Sequence, residues 1–147
     1  MAQIDEVKKL REETGISVSD CKKALEKSGG DFEGAKEILK EWGKETVKSK
    51  TARQTSQGII DTYLHPNKKV GVILELNCET DFVGKSHDFQ TLAHELCLQI
   101  AAMGEEIPLL EQPWIKDQNK KIKELIEEHI AKLGENITIK RFTRYQL

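Results

Sequence analysis

The spacing of apolar residues changes once along this chain of 147 residues, from a helical repeat to a strand repeat. Up to residue 43, apolar side chains recur every three or four positions in three short stretches. Residues 44–57 are polar and lysine-rich, which is typical of a hinge or linker. Beyond them, β-branched and aromatic residues with alternating polarity indicate strands. The sequence therefore predicts an α+β protein, with a helical module over residues 1–43 and a core domain over residues 58–147.

The helical module contains its own start and stop signals. Ser17, followed three residues later by Asp20, favours an N-cap for the second helix, and the two glycines at 29 and 30 end that helix. Asp31 is a further capping residue, and Gly43 is expected to end the third helix. These signals predict a three-helix module of the ubiquitin-associated (UBA-like) type. So small a core needs neighbours or a partner for full stability.

The core domain is expected to have the order ββααβ. A hairpin is predicted from a strand over residues 58–64, a turn over 65–68 and a strand over 70–76. Two helices are predicted over residues 89–103 and 122–133, and a last strand over 136–142. Gly134 is expected to end the second helix. The domain should be a three-stranded antiparallel sheet packed on helices.

Residues 78–85 follow the second strand and place Phe82 where a helix should begin. Two interpretations follow from the residues alone. In the first, Asp81 is an N-cap and Phe82 folds back onto the core, which is favoured because aromatic side chains bury large areas. In the second, Phe82 stays exposed and is inserted into a partner.

Composition and charge restrict the function classes. The 23 basic and 25 acidic residues leave a net charge of −2, so no global field drives the chain onto nucleic acid or an anionic membrane. No apolar stretch approaches the about 20 residues of a membrane span, and no signal peptide is recognisable, so we expect a cytoplasmic protein. Because no nucleophile motif or glycine-rich phosphate loop is found, neither enzymatic activity nor a cofactor is predicted.

The three cysteines are odd in number and form no CxxC pair, so reduced thiols are expected. Cys78 and Cys97 could in principle join His87 and His94 around a zinc ion. Structural zinc sites usually have closer ligand pairs, so we interpret both cysteines as small buried hydrophobic residues and predict no metal.

Three motifs, in this order along the chain, resemble signatures of the bacterial translation elongation factor Ts family: DCKKAL at residues 20–25, NCETDFV at 77–83 and GENI at 134–137. LLEQP at 109–113 extends the resemblance, which covers nearly the whole chain and indicates the short-form branch. The resemblance implies a guanine nucleotide exchange factor for elongation factor Tu, the GTPase that delivers aminoacyl-tRNA to the ribosome. Such a factor acts by binding and is not an enzyme.

The resemblance also implies roles for particular residues. In the family, an Asp-Phe pair reaches the GTPase and wedges its aromatic ring between helices, which displaces the elements that hold magnesium and phosphates. By position, that role falls on Asp81 and Phe82. The partner-binding residues implied by the resemblance are Thr80, Asp81, Phe82, Val83, Lys22 and Gly134. Taken alone, Lys22 is typical of solvated surface and Gly134 of a helix C-cap.

The chain departs from the family's pattern in two places. A helical segment that usually follows residue 103 is missing, so residues 104–108 lead almost directly to LLEQP. Gly84 stands where alanine is more usual, which weakens the helix start by about 1 kcal/mol.

A homodimer is predicted from the sheet. Ile59, Tyr63 and Ile73 have the opposite strand phase from the expected core residues, so the second face of the sheet should be partly apolar and need a cover. Long members of the family carry two related core halves, whereas this chain has one. We therefore expect two copies to pair these faces.

Two other functions stay open. RNA binding is suggested by eight basic residues, against five acidic ones, near the C-terminal end: Lys116, Lys120, Lys121, Lys123, Lys132, Lys140, Arg141 and Arg144. The local excess is weak, so no specific nucleic acid is predicted. A ubiquitin-like-binding adaptor is suggested by the helical module alone, and it would need only the residues before the hinge.

Overall fold

A computed structural model describes residues 4–147 as two compact units, which divide between Lys48 and Ser49. The helices are α1 (Ile4–Thr14), α2 (Val18–Lys27), α3 (Phe32–Lys50), α4 (Asp81–Gly84), α5 (His87–Met103) and α6 (Ile122–Leu133). The strands are β1 (Gln57–Leu64), β2 (Val70–Cys78), β3 (Pro113–Trp114), β4 (Asp117–Lys121) and β5 (Ile137–Gln146). Among the described residues, no helix is both long and apolar enough to cross a membrane.

The N-terminal unit has the three helices predicted from its capping signals. The Ser17 side chain caps α2 by accepting a hydrogen bond from the Asp20 backbone N–H at 3.2 Å. Gly29 and Gly30 both have positive φ, a conformation that other residues rarely adopt, and they end α2 as expected. The core of the unit is built from one stripe on each helix: Val7, Leu10, Cys21, Ala24, Leu25, Ala35 and Leu39.

The third helix is longer than predicted. It does not end at Gly43 but continues to Lys50, into the segment predicted as a hinge. Glycine within a helix costs about 1 kcal/mol relative to alanine. Val47, one turn later, is buried, and burying a valine side chain contributes about 1.5 kcal/mol or more. The burial of Val47 therefore outweighs the weak stop signal at Gly43.

The C-terminal unit has the predicted three-stranded antiparallel sheet, in the order β1-β2-β5. Its buried residues include Leu74 and Leu76 of β2 and Phe89 and Leu96 of α5. The sequence did not predict the one-turn helix α4, the short 3-10 helix over Leu109–Glu111 or the hairpin of β3 and β4. The hairpin lies in a mostly polar stretch, so its strands lack the apolar alternation from which strands are predicted.

The pairing register corrects the predicted faces of the sheet. Ile59 lies opposite Leu76 and Tyr63 opposite Val72, and directly opposite residues project from the same face. Leu76 and Val72 are buried, so Ile59 and Tyr63 are on the core face and their assignment to the second face is wrong. Ile73 does lie on the outer face, where it is exposed. Alternation gives the phase of each strand separately, whereas only the register relates one strand to the next.

Two buried glutamines fix the connection that follows α5. Gln99 on α5 and Gln112 are fully or almost fully buried, and their side-chain amides are joined by a hydrogen bond of 3.0 Å. The Gln112 Nε2 also donates to the carbonyl oxygens of Gly104 and Ile107 at 3.0 and 2.7 Å. The Gln99 Oε1 accepts from the backbone N–H of Ile115 at 2.9 Å. The short path from α5 to the β3–β4 hairpin is therefore held by side chains within the core.

Candidate partner-binding site

Phe82 lies on the one-turn helix α4 and points into solvent, with 82% of its surface exposed. Thr80 is the N-cap, and its hydroxyl accepts a hydrogen bond from the Val83 backbone N–H at 3.3 Å. Val83 is buried. Since neighbouring helical residues point about 100° apart, burying Val83 directs Phe82 outwards. The interpretation in which Asp81 caps the helix and Phe82 folds onto the core is therefore wrong.

Asp81 lies beside Phe82 on the exposed side of α4. Its carboxylate is 3.6 Å from the Lys85 ammonium, and both side chains are mostly solvent-exposed. Exposed ion pairs of this kind add little to stability. Asp81 and Phe82 therefore place an exposed carboxylate and an exposed aromatic ring side by side.

A reciprocal pair of carboxylates braces the start of α4. The Glu135 Oε1 accepts hydrogen bonds from the backbone N–H groups of Glu79 and Thr80, at 3.1 and 3.0 Å. The Glu135 Oε2 accepts from the Thr80 hydroxyl at 2.6 Å. In return, the Glu79 carboxylate accepts from the Asn136 backbone N–H at 2.6 Å. We call this arrangement of Glu79, Thr80, Glu135 and Asn136 the carboxylate clasp.

Gly134 ends α6 and leads directly to the clasp residues Glu135 and Asn136. It is the C-cap of that helix, with left-handed backbone geometry (φ 76°, ψ 11°), and its N–H donates to the Ile130 carbonyl at 2.9 Å. This confirms the prediction that Gly134 ends the helix. The turn carries Glu135 and Asn136 directly to the corner where β2 ends, so Gly134 and Thr80 belong to one region.

Lys22 is exposed on α2 and belongs to the N-terminal unit. The other five predicted contact residues all belong to the C-terminal unit, where the clasp joins Thr80 to the turn at Gly134. Glu79, Glu135 and Asn136 were not singled out from the sequence, although all three lie inside the recognised motifs. The only sequence signal for them is an acidic residue beside a helix terminus in each of two motifs, which is common in proteins.

The cysteines do not form a reactive or metal-binding group. All three are buried. Burial raises the pKa of the Cys78 thiol to about 11 and that of the Cys97 thiol to about 12, so both are protonated at neutral pH. Nowhere in residues 4–147 do three His, Cys, Asp or Glu side chains lie close enough to hold a metal ion.

Most of the basic residues that suggested RNA binding lie in ion pairs with carboxylates. Ion pairs join Lys116 to Glu95, Lys120 to Glu128, Lys121 to Glu111, Lys132 to Asp88 and Arg141 to Glu75. Arg144 donates instead to the carbonyl oxygens at the end of α5. Nucleic acid binding depends on cations that are free to neutralise phosphates, so these contacts do not favour an RNA-binding surface.

Aromatic residues, phenylalanine among them, are enriched in protein–protein interfaces, so an exposed ring on a braced surface turn fits a protein that binds a protein partner. A sequence profile of the Elongation factor TS family matches residues 8–104 and 79–147 of the chain. Elongation factor Ts of Coprothermobacter proteolyticus is 41% identical, over 96% of this chain and 95% of that protein. Elongation factor Ts of Thermotoga neapolitana is 42% identical, over 98% and 96%. The chain belongs to the elongation factor Ts family.

The same comparison bears on the length of the chain. The alignment with the Coprothermobacter proteolyticus protein extends over 188 positions, whereas this chain has 147 residues. The relative therefore has residues with no counterpart here, and that they follow residue 103 stays a prediction.

Proposed function

We propose that this protein promotes the release of GDP from elongation factor Tu by inserting Phe82, with Asp81 beside it, near the site that holds the magnesium ion and the phosphates. Membership of the elongation factor Ts family, whose role is nucleotide exchange on elongation factor Tu, supports the partner and the reaction. The observation that carries the wedge is the 82% exposure of Phe82 on a turn whose other apolar residue, Val83, is buried.

The energetics of the exposed ring favour insertion. Burying a phenylalanine side chain contributes about 1.5–3 kcal/mol relative to leaving it in water. Because the ring is exposed in this structure, that free energy becomes available when Phe82 enters an apolar cleft in a partner. Because Mg²⁺ demands near-ideal octahedral geometry, displacing its ligands by a short distance should weaken the binding of the ion and of the phosphates that it contacts.

Coupling between the two ligands must be reciprocal. If the factor weakens the binding of GDP to elongation factor Tu, the nucleotide weakens the binding of the factor by the same free energy. Fresh GTP therefore displaces the factor after exchange. The factor acts through binding alone, and no residue of it needs to take part in bond chemistry.

The test is stopped-flow release of a fluorescent GDP analogue from elongation factor Tu. Removing the ring in Phe82→Ala should forfeit about 2 kcal/mol, which is about a thirtyfold loss in rate. Ile107→Ala truncates another exposed apolar side chain and is the matched control. Both variants should melt like the unmodified protein, because neither side chain is in the core. Equal rates for Phe82→Ala and the control would refute the wedge.

We also propose that two copies form a homodimer through the outer face of the sheet, which is the face that carries Ile73. Ile60, Leu64, Ile73 and Tyr145 are all exposed on this face, and its Glu75–Arg141 ion pair balances its charge. An apolar face of balanced charge can pair with its own copy about a two-fold axis. Sedimentation equilibrium should report a dimer at micromolar concentration and a monomer for Ile73→Asp. A monomer of the unmodified protein would refute it.

A further inference from the structure

The carboxylate clasp joins two chain segments that are more than fifty residues apart. Glu79 stands directly after β2 and Glu135 directly after the C-cap of α6, and each carboxylate accepts a backbone N–H from the other's segment. A third segment, which contains Arg53, also contacts Glu79 and Asn136 of the clasp. The Asn136 Nδ2 donates to the Arg53 carbonyl at 2.9 Å, and the Arg53 guanidinium lies 3.4 Å from the Glu79 carboxylate.

Thr80 is the link between the clasp and the exposed ring. Its hydroxyl donates to Glu135 and, through a lone pair, accepts the Val83 N–H that closes the single turn of α4. A hydroxyl that donates in one fixed direction has its lone pairs fixed as well. Glu135 therefore sets the orientation of the capping oxygen, and through it the turn that bears Phe82.

The geometry points to Glu135 as a positioning residue for the wedge, a role that rests on the proposed exchange function. Glu135 need not touch elongation factor Tu. It pre-orders the first turn of α4 so that the Phe82 ring is presented in one direction before the partner arrives.

The need for such a brace follows from the length of α4. A helix of four residues forms few internal hydrogen bonds, and an isolated turn of this length is unstable in water. Glu135 supplies three hydrogen bonds from outside the turn. A contact surface that is already ordered loses less conformational entropy on binding, which is the general advantage of preorganisation.

The first experiment is a double-mutant cycle on the maximal rate of GDP-analogue release at saturating factor. We expect Glu135→Ala to lower this rate about tenfold when Phe82 is present and less than about twofold in a Phe82→Ala background. Glu128→Ala is the matched control, because Glu128 lies on α6, two turns before Glu135, and its carboxylate is paired on the surface with Lys120. The control should leave the rate unchanged.

Conservative variants separate positioning from a general loss of structure. Thr80→Val removes the capping hydroxyl and keeps the side-chain shape, whereas Thr80→Ser keeps the hydroxyl. We expect Thr80→Ser to retain most of the exchange rate and Thr80→Val to lose as much of it as Glu135→Ala does. If Glu135→Ala fails to fold, the cycle is measured with Thr80→Val in its place.

The outcomes distinguish the two proposals. If Phe82→Ala exchanges at the unmodified rate, the wedge fails and the role of Glu135 fails with it. If Phe82→Ala is slow and both Glu135→Ala and Thr80→Val are fast, the wedge stands and the positioning role is refuted. If Glu135→Ala lowers the rate equally in both backgrounds, Glu135 acts independently of Phe82, which also refutes positioning.

Discussion

The buried Gln112 offers a direct test of what holds the connection after α5. Gln112→Ala removes three side-chain hydrogen bonds, one with the Gln99 amide and two with the carbonyl oxygens of Gly104 and Ile107. At about 1 kcal/mol for each net hydrogen bond, the loss is about 3 kcal/mol. For a unit of this size, that corresponds to a fall of about 15 °C in melting temperature.

The assay uses the two tryptophans, which lie in different units. In a Trp42→Phe background, Trp114 on β3 is the remaining tryptophan and its fluorescence reports unfolding of the C-terminal unit. Urea unfolding with and without Gln112→Ala then gives the loss of free energy of unfolding. Gln118→Ala, on the exposed strand β4, is the control and should change little. A loss below about 1 kcal/mol for Gln112→Ala would refute the reasoning, because it would mean that the buried hydrogen bonds are replaced without cost.

Two further predictions concern residues near the site. Gly84→Ala should stabilise the protein by about 0.5–1 kcal/mol, measured as a rise in melting temperature, because the new Cβ would meet the Cys78 Sγ at 3.6 Å in ordinary contact. Gly58→Ala is the contrasting control and should destabilise it, since its Cβ would lie 2.2 Å from the Leu76 carbonyl oxygen. The raised pKa of the Cys78 thiol means that the unfolded chain loses this proton first, so the free energy of unfolding should fall as the pH rises from 9.0 towards about 11. Cys78→Ala should show a shallower fall in urea unfolding over that range, and an unchanged slope would contradict the assignment.

The parts of the fold that sequence predicts well are those fixed by neighbours in the chain. Helical spacing predicts the apolar stripes that bury Leu10, Leu25 and Leu39 on the first three helices. Local backbone geometry predicts the N-cap at Ser17 and the helix end at Gly134. The exposure of Phe82 was one of two open interpretations, because nothing local decides whether Val83 or Phe82 faces the core.

The parts that were wrong or missed depend on contacts between distant segments. Ile59 and Tyr63 were placed on the wrong face because the register of β1 against β2 is a property of the pair. The end of α3 was placed too early because the burial of Val47 depends on tertiary packing. The clasp between Glu79 and Glu135 is a long-range exchange of side-chain and backbone hydrogen bonds, for which no periodicity exists.

The hydrogen bonds from Gln112 hold the backbone at both Gly104 and Ile107, which matters for protein engineering. Two anchored positions with two exposed glutamates, Glu105 and Glu106, between them form a natural insertion point. The entropic cost of lengthening a loop grows only with the logarithm of its length. A folded tag or a reporter domain inserted between these glutamates should therefore leave both anchors in place, and an unchanged melting temperature of the C-terminal unit would check this.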